Sequence, residues 1–397
     1  MFCLSLAEQI TLPQPAAFHA GGVAPCDGCH TIHGTNQGQP TGTGSSSMLL
    51  LASDPSSICL NCHAGPGGPN SPSVFSSDGS AQTPGGDFYW LGRTFTWIDG
   101  ISPGESHGHN IIARDYGLLQ VNQQMVSPGG NYRAAHLGCT SCHDPHGRVK
   151  GGSRAGQPPV SGSGSYGEPP NAGTIRGNYR LLGDSAYAGS RTTGGHRFVN
   201  NAPIARQNMT ARFGESDSSH VDYGAGMSEW CGNCHAGILN SNHRMNFGVD
   251  EAFVHPIGNT TRFGSAYANI YNAYVSSGNL NGTSATSYLQ FVPFERGVTE
   301  SLLLNPTSTQ GPDANARVTC LSCHRAHASA FTAMGRWDFT AVLLTESHPH
   351  AGDGGISGND VRYSYYGRII GAEFGPDQGS FCEKCHGVAT PEIEGQL

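Results

Sequence analysis

Hydrophobic positions along this chain are sparse, fall in short runs and are rarely periodic. The clearest helical spacing is Tyr267, Ile270, Tyr271, Tyr274 and Val275, which repeats at i, i+3, i+4, i+7 and i+8 and is closed by Gly278. A second helix is expected after Thr283, whose hydroxyl suits an N-cap, and should stop before Pro293. A third is expected over 361–370, interrupted by Gly367. Phe88, Trp90, Phe95 and Trp97 alternate around Gly92 and predict a short β-ribbon. Tracts 34–47, 64–87 and 150–173 are rich in Gly, Ser, Thr or Pro and read as loop. The expected fold is therefore mostly irregular coil with short α and 3-10 helices and a minor β-ribbon. The longest apolar run, 48–52, is far short of the ~18 residues of a membrane helix.

Composition sharpens this picture. With 57 Gly, 24 Pro and only 37% hydrophobic residues in 397, the chain offers little material for a conventional core. Something else must supply apolar surface. A net charge of −8 with 13% charged residues argues against a nucleic-acid partner.

The cysteines identify that missing component. Twelve of the 13 fall in six copies of Cys-x-x-Cys-His, at 26–30, 59–63, 139–143, 231–235, 320–324 and 382–386. This is the attachment sequence of c-type haem. Cys26, Cys29, Cys59, Cys62, Cys139, Cys142, Cys231, Cys234, Cys320, Cys323, Cys382 and Cys385 are expected to form the thioethers. His30, His63, His143, His235, His324 and His386 are expected as the proximal iron ligands. Paired CxxC motifs also build four-cysteine zinc sites, but zinc needs no histidine after each pair. With 19 His in the chain, six such matches by chance is on the order of one in a hundred million. Six haem c groups would then be the core, stapled by covalent and iron bonds. The motif starts are separated by 33, 80, 92, 89 and 62 residues, so the chain is not an equal repeat. Haem c is attached after export, which places the protein outside the cytoplasm. Residues 1–17 read as a signal-peptide remnant ending in Pro15-Ala16-Ala17 or as an ordinary flexible N-terminus, and 18–397 as one hexahaem domain.

Thirteen histidines remain for six further axial positions. Methionine competes as an axial ligand, but the 7 Met bear no repeated relation to the motifs. Three motifs extend to CxxCHxxH and give His33, His146 and His327. Two intervening residues cannot carry the chain around a porphyrin fixed to the same segment. If these three are ligands, each serves the iron of a different haem.

Several strings exceed what haem attachment demands: FHAGGVAPCDGCHTIH (18–33), TPGGDF (83–88), GHNI (108–111), CTSCHDPHG (139–147), YGAGMSEWCGNCH (223–235), HPIGN (255–259), YLQFVPFE (288–295), CLSCHRAHAS (320–329), YYGR (365–368) and CEKCH (382–386). In these the chain closely resembles, over nearly its whole length, the hexahaem extracellular cytochromes of the OmcS type that polymerise into conductive filaments. The resemblance implies bis-His ligation at every iron, with His19, His33, His109, His146, His255 and His327 as the distal ligands. It also implies haems stacked alternately in parallel and T-shaped pairs. His33 would complete the fifth haem of the neighbouring subunit, the one held by Cys320, Cys323 and His324. The segments around 64–82, 150–170, 190–220 and 340–360 match poorly. His107, His136, His196, His220, His243, His348 and His350 have no counterpart and read as surface or hydrogen-bonding residues. His348 and His350, flanking Pro349, are the nearest competitors as ligands.

The expected function is electron transport along six bis-His haems, with no open iron for a substrate and hence no enzyme activity. Expected partners are further copies of the chain, other c-type cytochromes or an outer-membrane conduit, and external acceptors such as metal oxides, electrodes or other cells. The expected location is extracellular or on the outer cell surface. Two other classes stay open at this point: a discrete periplasmic shuttle, told apart by its size at dilution, and a multihaem reductase, told apart by a high-spin haem.

Overall fold

The computed structural model describes residues 28–31, 35–36, 39–40, 50–66, 71–119, 126–145, 179–185, 187–188, 196–208, 214–240, 244–246 and 251–387. The leader assigned to 1–17, His19, Cys26, His33, His146, His243 and the whole 150–173 tract lie outside them. Regular structure is scarce, as the pattern predicts. Sheet is limited, among the described residues, to four antiparallel ribbons of two strands each. These pair β1 (Thr35–Asn36) with β2 (Gln39–Pro40), β3 (Phe95–Trp97) with β4 (Gly100–Ser102), β5 (Ile204–Gln207) with β6 (Val221–Ala225), and β7 (Arg244–Asn246) with β8 (Glu251–Phe253).

The helices are short, and half of them carry attachment motifs. α1 (Pro55–His63) begins at Asp54, whose carboxylate accepts the amides of Ser56 at 3.0 Å and Ser57 at 2.9 Å, with Pro55 at the first position. Its last turn is the motif 59–63. α2 (Met227–Cys231) leads into the fourth motif and α3 (Ala236–Asn240) follows it. α5 (Cys320–Cys323) and α8 (Glu383–His386) are single turns made of motif residues. The third motif starts with a 3-10 turn, Cys139–Ser141. The remaining helices are α4 (Gly264–Ala273), α6 (Asp360–Ser364) and α7 (Ile370–Glu373).

α4 meets the helix expected around 267–275. Three expectations are corrected. No helix follows Thr283, because its amides are used elsewhere: Tyr288 N–H donates to the Thr309 carbonyl at 2.9 Å, Leu289 to the Tyr271 hydroxyl at 3.1 Å and Gln290 to Asp217 Oδ1 at 2.7 Å. The 361–370 helix is split into α6 and α7 by Tyr366 (φ 58°) and Gly367 (φ 78°), both left-handed. The ribbon expected from Phe88 starts later. Phe88–Gly92 is a 3-10 turn capped by Asp87, and only Phe95–Trp97 joins the β3–β4 pair.

Three buried clusters sit against the motifs. The largest packs Phe263, Tyr271, Phe291, Phe294, Trp337 and Phe381 beside Cys323 and Cys385. A second, with Tyr223, Met227 and Leu321, abuts Trp230. A third, with Phe88, Trp90 and Ala328, abuts Cys139. Side-chain packing therefore concentrates where thioethers are expected, which is where a porphyrin face needs apolar walls.

Candidate functional site

Each motif with both ends described closes one helical turn. The amide of His143 reaches the carbonyl of Cys139 at 2.9 Å, His235 that of Cys231 at 3.0 Å, His324 that of Cys320 at 3.0 Å and His386 that of Cys382 at 3.1 Å. Spacing of three along a turn puts both thiols on one face, the geometry needed to grip one porphyrin edge. Burial pushes the thiol of Cys234 up to about 11 and that of Cys385 up to about 12. Consecutive motifs lie side by side in chain order. Cys29 lies near Cys59, Cys59 beside Cys139, Cys142 near Cys234, Cys231 beside Cys320, and Cys323 near Cys382 and Cys385. Among the described residues each motif thus neighbours the next in chain order.

The histidine rings are paired across these motifs. His109 faces His235 with ring centres 6.1 Å apart, His327 faces His143 at 6.4 Å and His255 faces His386 at 6.0 Å. With metal–nitrogen bonds of about 2.0 Å, two imidazoles on one iron have ring centres about 6 Å apart. Each pair joins a motif histidine to a histidine that the resemblance named as distal. Among the described residues no three His, Cys, Asp or Glu side chains converge on one point, so pairs rather than clusters are the available ligand arrangement.

Backbone carbonyls aim the rings. Nδ1 of His63 meets the Pro72 carbonyl at 3.0 Å, His143 that of Arg180 at 2.9 Å, His235 that of Pro128 at 2.8 Å and His324 that of Ala333 at 2.8 Å. Nδ1 of His109 likewise meets the Ala326 carbonyl at 2.7 Å and His255 that of Pro256 at 2.8 Å. A carbonyl only accepts, so Nδ1 must carry the proton and Nε2 keeps its lone pair for a metal. Burial also favours the neutral form of His109 and His327, lowering them to about 4 and about 3, with the facing His235 and His143 adding to the effect. The neutral imidazole is the form that binds iron.

One strip of chain carries two of the rings expected as distal ligands. The His109 amide donates to the His327 carbonyl at 2.9 Å, His327 to Gly85 at 2.6 Å, Ser329 to His107 at 3.0 Å and Asp87 to Ala328 at 3.2 Å. Segment 326–329 is thereby held between 85–87 and 107–109. The contact is too close for side chains. A Cβ on Gly86 (φ +94°) would lie 1.9 Å from the Ala328 carbonyl oxygen, and one on Gly108 2.5 Å from the Ala328 methyl. The strings TPGGDF and GHNI therefore encode the seat of the distal histidines.

Most of the unmatched histidines are engaged elsewhere. His107 is fully buried, with Nε2 on the Ser102 hydroxyl at 2.7 Å and Nδ1 on the Trp90 carbonyl at 3.1 Å, so neither nitrogen is left for iron. His220 is buried and stacks on Tyr288 at 3.8 Å. His348 bonds Asp353 through Nδ1 at 2.7 Å and stacks on Trp97 at 3.8 Å, and Nδ1 of His350 lies on the Ala351 carbonyl at 3.1 Å; the two rings are 6.3 Å apart, and since these contacts use Nδ1 alone both remain competitors as ligands. His196 bonds the Asn233 carbonyl. Sequence reasoning missed the aiming carbonyls altogether, because any residue type can supply one. It also missed Glu295, buried behind the fourth and fifth motifs.

Haem-attachment turns in a line, histidine pairs at iron spacing and little regular structure define a multihaem c-type cytochrome. No family model matches the chain. It is 39% identical to the C-type cytochrome OmcS of Geobacter sulfurreducens over 95% of both chains. Its fold is similar to two cryo-EM or filament structures of that protein. The OmcS nanowires give a TM-score of 0.76 at 37% identity, with 93% of this chain and 99% of that chain covered. The Outer Membrane Cytochrome S Filament gives 0.74 with the same identity and coverage. The chain belongs to the OmcS family of c-type cytochromes.

Proposed function

We propose that this protein transports electrons along a line of six covalently held haem c groups and polymerises head to tail into an extracellular filament. The observation that carries this reading is the set of three histidine pairs at 6.0–6.4 Å, each set on a line of attachment turns. The haem iron supplies one-electron chemistry, alternating between ferric and ferrous states. The chain supplies two thiols and a proximal histidine per motif, and aims a second imidazole at the opposite face. Two imidazoles per iron exclude substrate coordination, which favours a carrier over a reductase. In this assignment His109 serves the fourth motif, His327 the third and His255 the sixth.

The fifth motif supports the assembly reading. Among the described residues the only ring against His324 is Phe339, edge-on at 5.6 Å, and no second histidine faces it. This favours a distal ligand from beyond those residues, and His33 of an adjoining copy is the donor proposed. His19 and His146 are assigned to the first two motifs. A heterologous contact of this kind does not close and generates an open filament. Outward transfer then ends on external acceptors, with other cytochromes at the cell surface as donors. The test is His33→Ala: monomers or short oligomers are expected by negative-stain microscopy, with one haem per subunit turning high-spin. Long regular filaments from that variant would reject the junction.

A further inference from the structure

Glu295 is fully buried, although it is a carboxylate in the middle of a polypeptide with few charges. Its backbone is pinned on both sides, bridging to Tyr223 and to Arg317. Its Oε1 accepts the Met227 amide at 2.7 Å, at the start of α2, while Oε2 is buried without a partner. It is close enough to Cys231 and Cys320 to act on both through space, and those two cysteines neighbour each other. Glu295 therefore stands behind the closest contact between the fourth and fifth motifs.

The groups around it set its charge. Glu229 on α2 adds a like charge and Arg317 across the backbone bridge adds an opposite one. Burial outweighs both, together with the amide bonds from Met227 and Gly226, and pushes Glu295 up to about 7. Near neutral pH the group is thus divided between acid and carboxylate. A buried charge is weakly screened, so a change of one unit nearby shifts that balance.

We propose that Glu295 takes up a proton when an electron arrives on the haem pair carried by Cys231–His235 and Cys320–His324, and releases it when the electron moves on. The proposal rests on the assignment of haems to those two motifs. The balance is simple. One electron, delivered by the neighbouring haem, reduces ferric to ferrous iron and removes one positive charge. The Glu295 carboxylate binds one proton from water at Oε2, restoring the local charge. Oxidation reverses both steps. The free oxygen gives the proton a place to bind without breaking the Met227 contact. Electron flow through this point of the line becomes linked to pH, while the same number of haems is retained.

The variant Glu295→Gln keeps an acceptor for the Met227 amide and removes the titration. Holoprotein filaments are reduced with a dithionite titrant in weak buffer near pH 7, and proton uptake is read with an indicator dye. Wild type should take up more protons than the variant, by up to about one per subunit. The potential of one component should fall with pH around neutrality in wild type and lose that slope in Glu295→Gln. Equal uptake and equal slopes overturn the proposal. Should the variant not assemble, redox-difference infrared spectra of wild type decide: a carboxylic-acid C=O band that appears on reduction and shifts in heavy water is expected, and its absence overturns the proposal. Haem content and low-spin spectra recorded on the same samples separate this outcome from failure of the haem assignment.

Discussion

The second and third motifs, taken together, can be laid over the fourth and fifth. In both pairs the first thiols meet, Cys59 with Cys139 and Cys231 with Cys320. In both, a serine three residues before the first cysteine accepts the amide of the partner motif's first cysteine: Ser56 from Cys139 and Ser228 from Cys320, each at 3.1 Å. The serine inside the later motif caps its own turn in both, Ser141 on the Gly138 amide at 3.0 Å and Ser322 on the Thr319 amide at 3.1 Å. The aiming carbonyl belongs each time to a left-handed residue, Arg180 (φ 48°) or Ala333 (φ 56°), followed by a second one, Leu181 or Met334. Asp144 then reaches the Leu181 carbonyl at 2.8 Å and Arg325 that of Met334 at 2.7 Å. In the first pair that turn lies much farther along the chain from its motif than in the second. Insertions in the connecting chain are evidently tolerated while the contacts at the motifs persist.

The pairs differ in how the leading helix is capped. Asp54 lies next to α1 and accepts four donors: the amides of Ser56, Ser57 and Arg114 and the Ser57 hydroxyl. The second pair uses Glu295, brought from a distant segment and satisfied at one oxygen only. The same arrangement is thus secured locally in one half and by tertiary structure in the other. The local solution is the sturdier one, and the remote one leaves a titratable group in place.

Gly86→Ala should have the largest effect, because it strikes both pairs. It forces a Cβ against the Ala328 carbonyl at a left-handed position, with strain alone of about 2 kcal/mol or more. His109 and His327 should both lose their seats, and resonance Raman should report two high-spin haems per subunit. His109→Ala and His327→Ala should each affect one pair only, giving one high-spin haem in EPR, at the fourth and third motifs respectively. A low-spin spectrum from either would remove that residue as a ligand. Asp54→Ala should destabilise the first pair by about 1–2 kcal/mol, seen as a lower guanidinium midpoint. For Glu295, whose acid form is favoured in the fold, stability relative to Glu295→Gln is fullest below the ordinary carboxyl range and is lost as pH rises through about 7. The slope should be on the order of 1 kcal/mol per pH unit at most, and a rising slope would contradict the burial argument. Ser56→Ala and Ser228→Ala should be the mildest, each costing about 1 kcal/mol and by matching amounts. Unequal losses would break the equivalence of the pairs.

The attachment residues proposed here rest on the sequence alone, because their chemistry is fixed by spacing within one helical turn. His327 was legible in part, since geometry forbids it from serving its own motif. His109 and His255 were visible only through the resemblance: each faces a motif distant in the chain, and no local pattern marks such a meeting. The helix at 267–275 was readable because α4 packs one face, with Tyr271 buried and Tyr267 exposed. The one expected after Thr283 failed because distant acceptors outcompeted the helical ladder for Tyr288, Leu289 and Gln290. In a fold organised by a prosthetic group, backbone amides answer to tertiary neighbours more than to propensity.

The unmatched ring of His324 carries one more consequence. If a neighbour's imidazole completes that site, every subunit inside a polymer is spectroscopically full and every terminal one at that end is not. The high-spin fraction of a preparation then counts ends. With six haems in each subunit, its reciprocal divided by six is the average number of subunits per fibre, so shearing, annealing and growth can be followed by absorbance in solution, without imaging a single molecule.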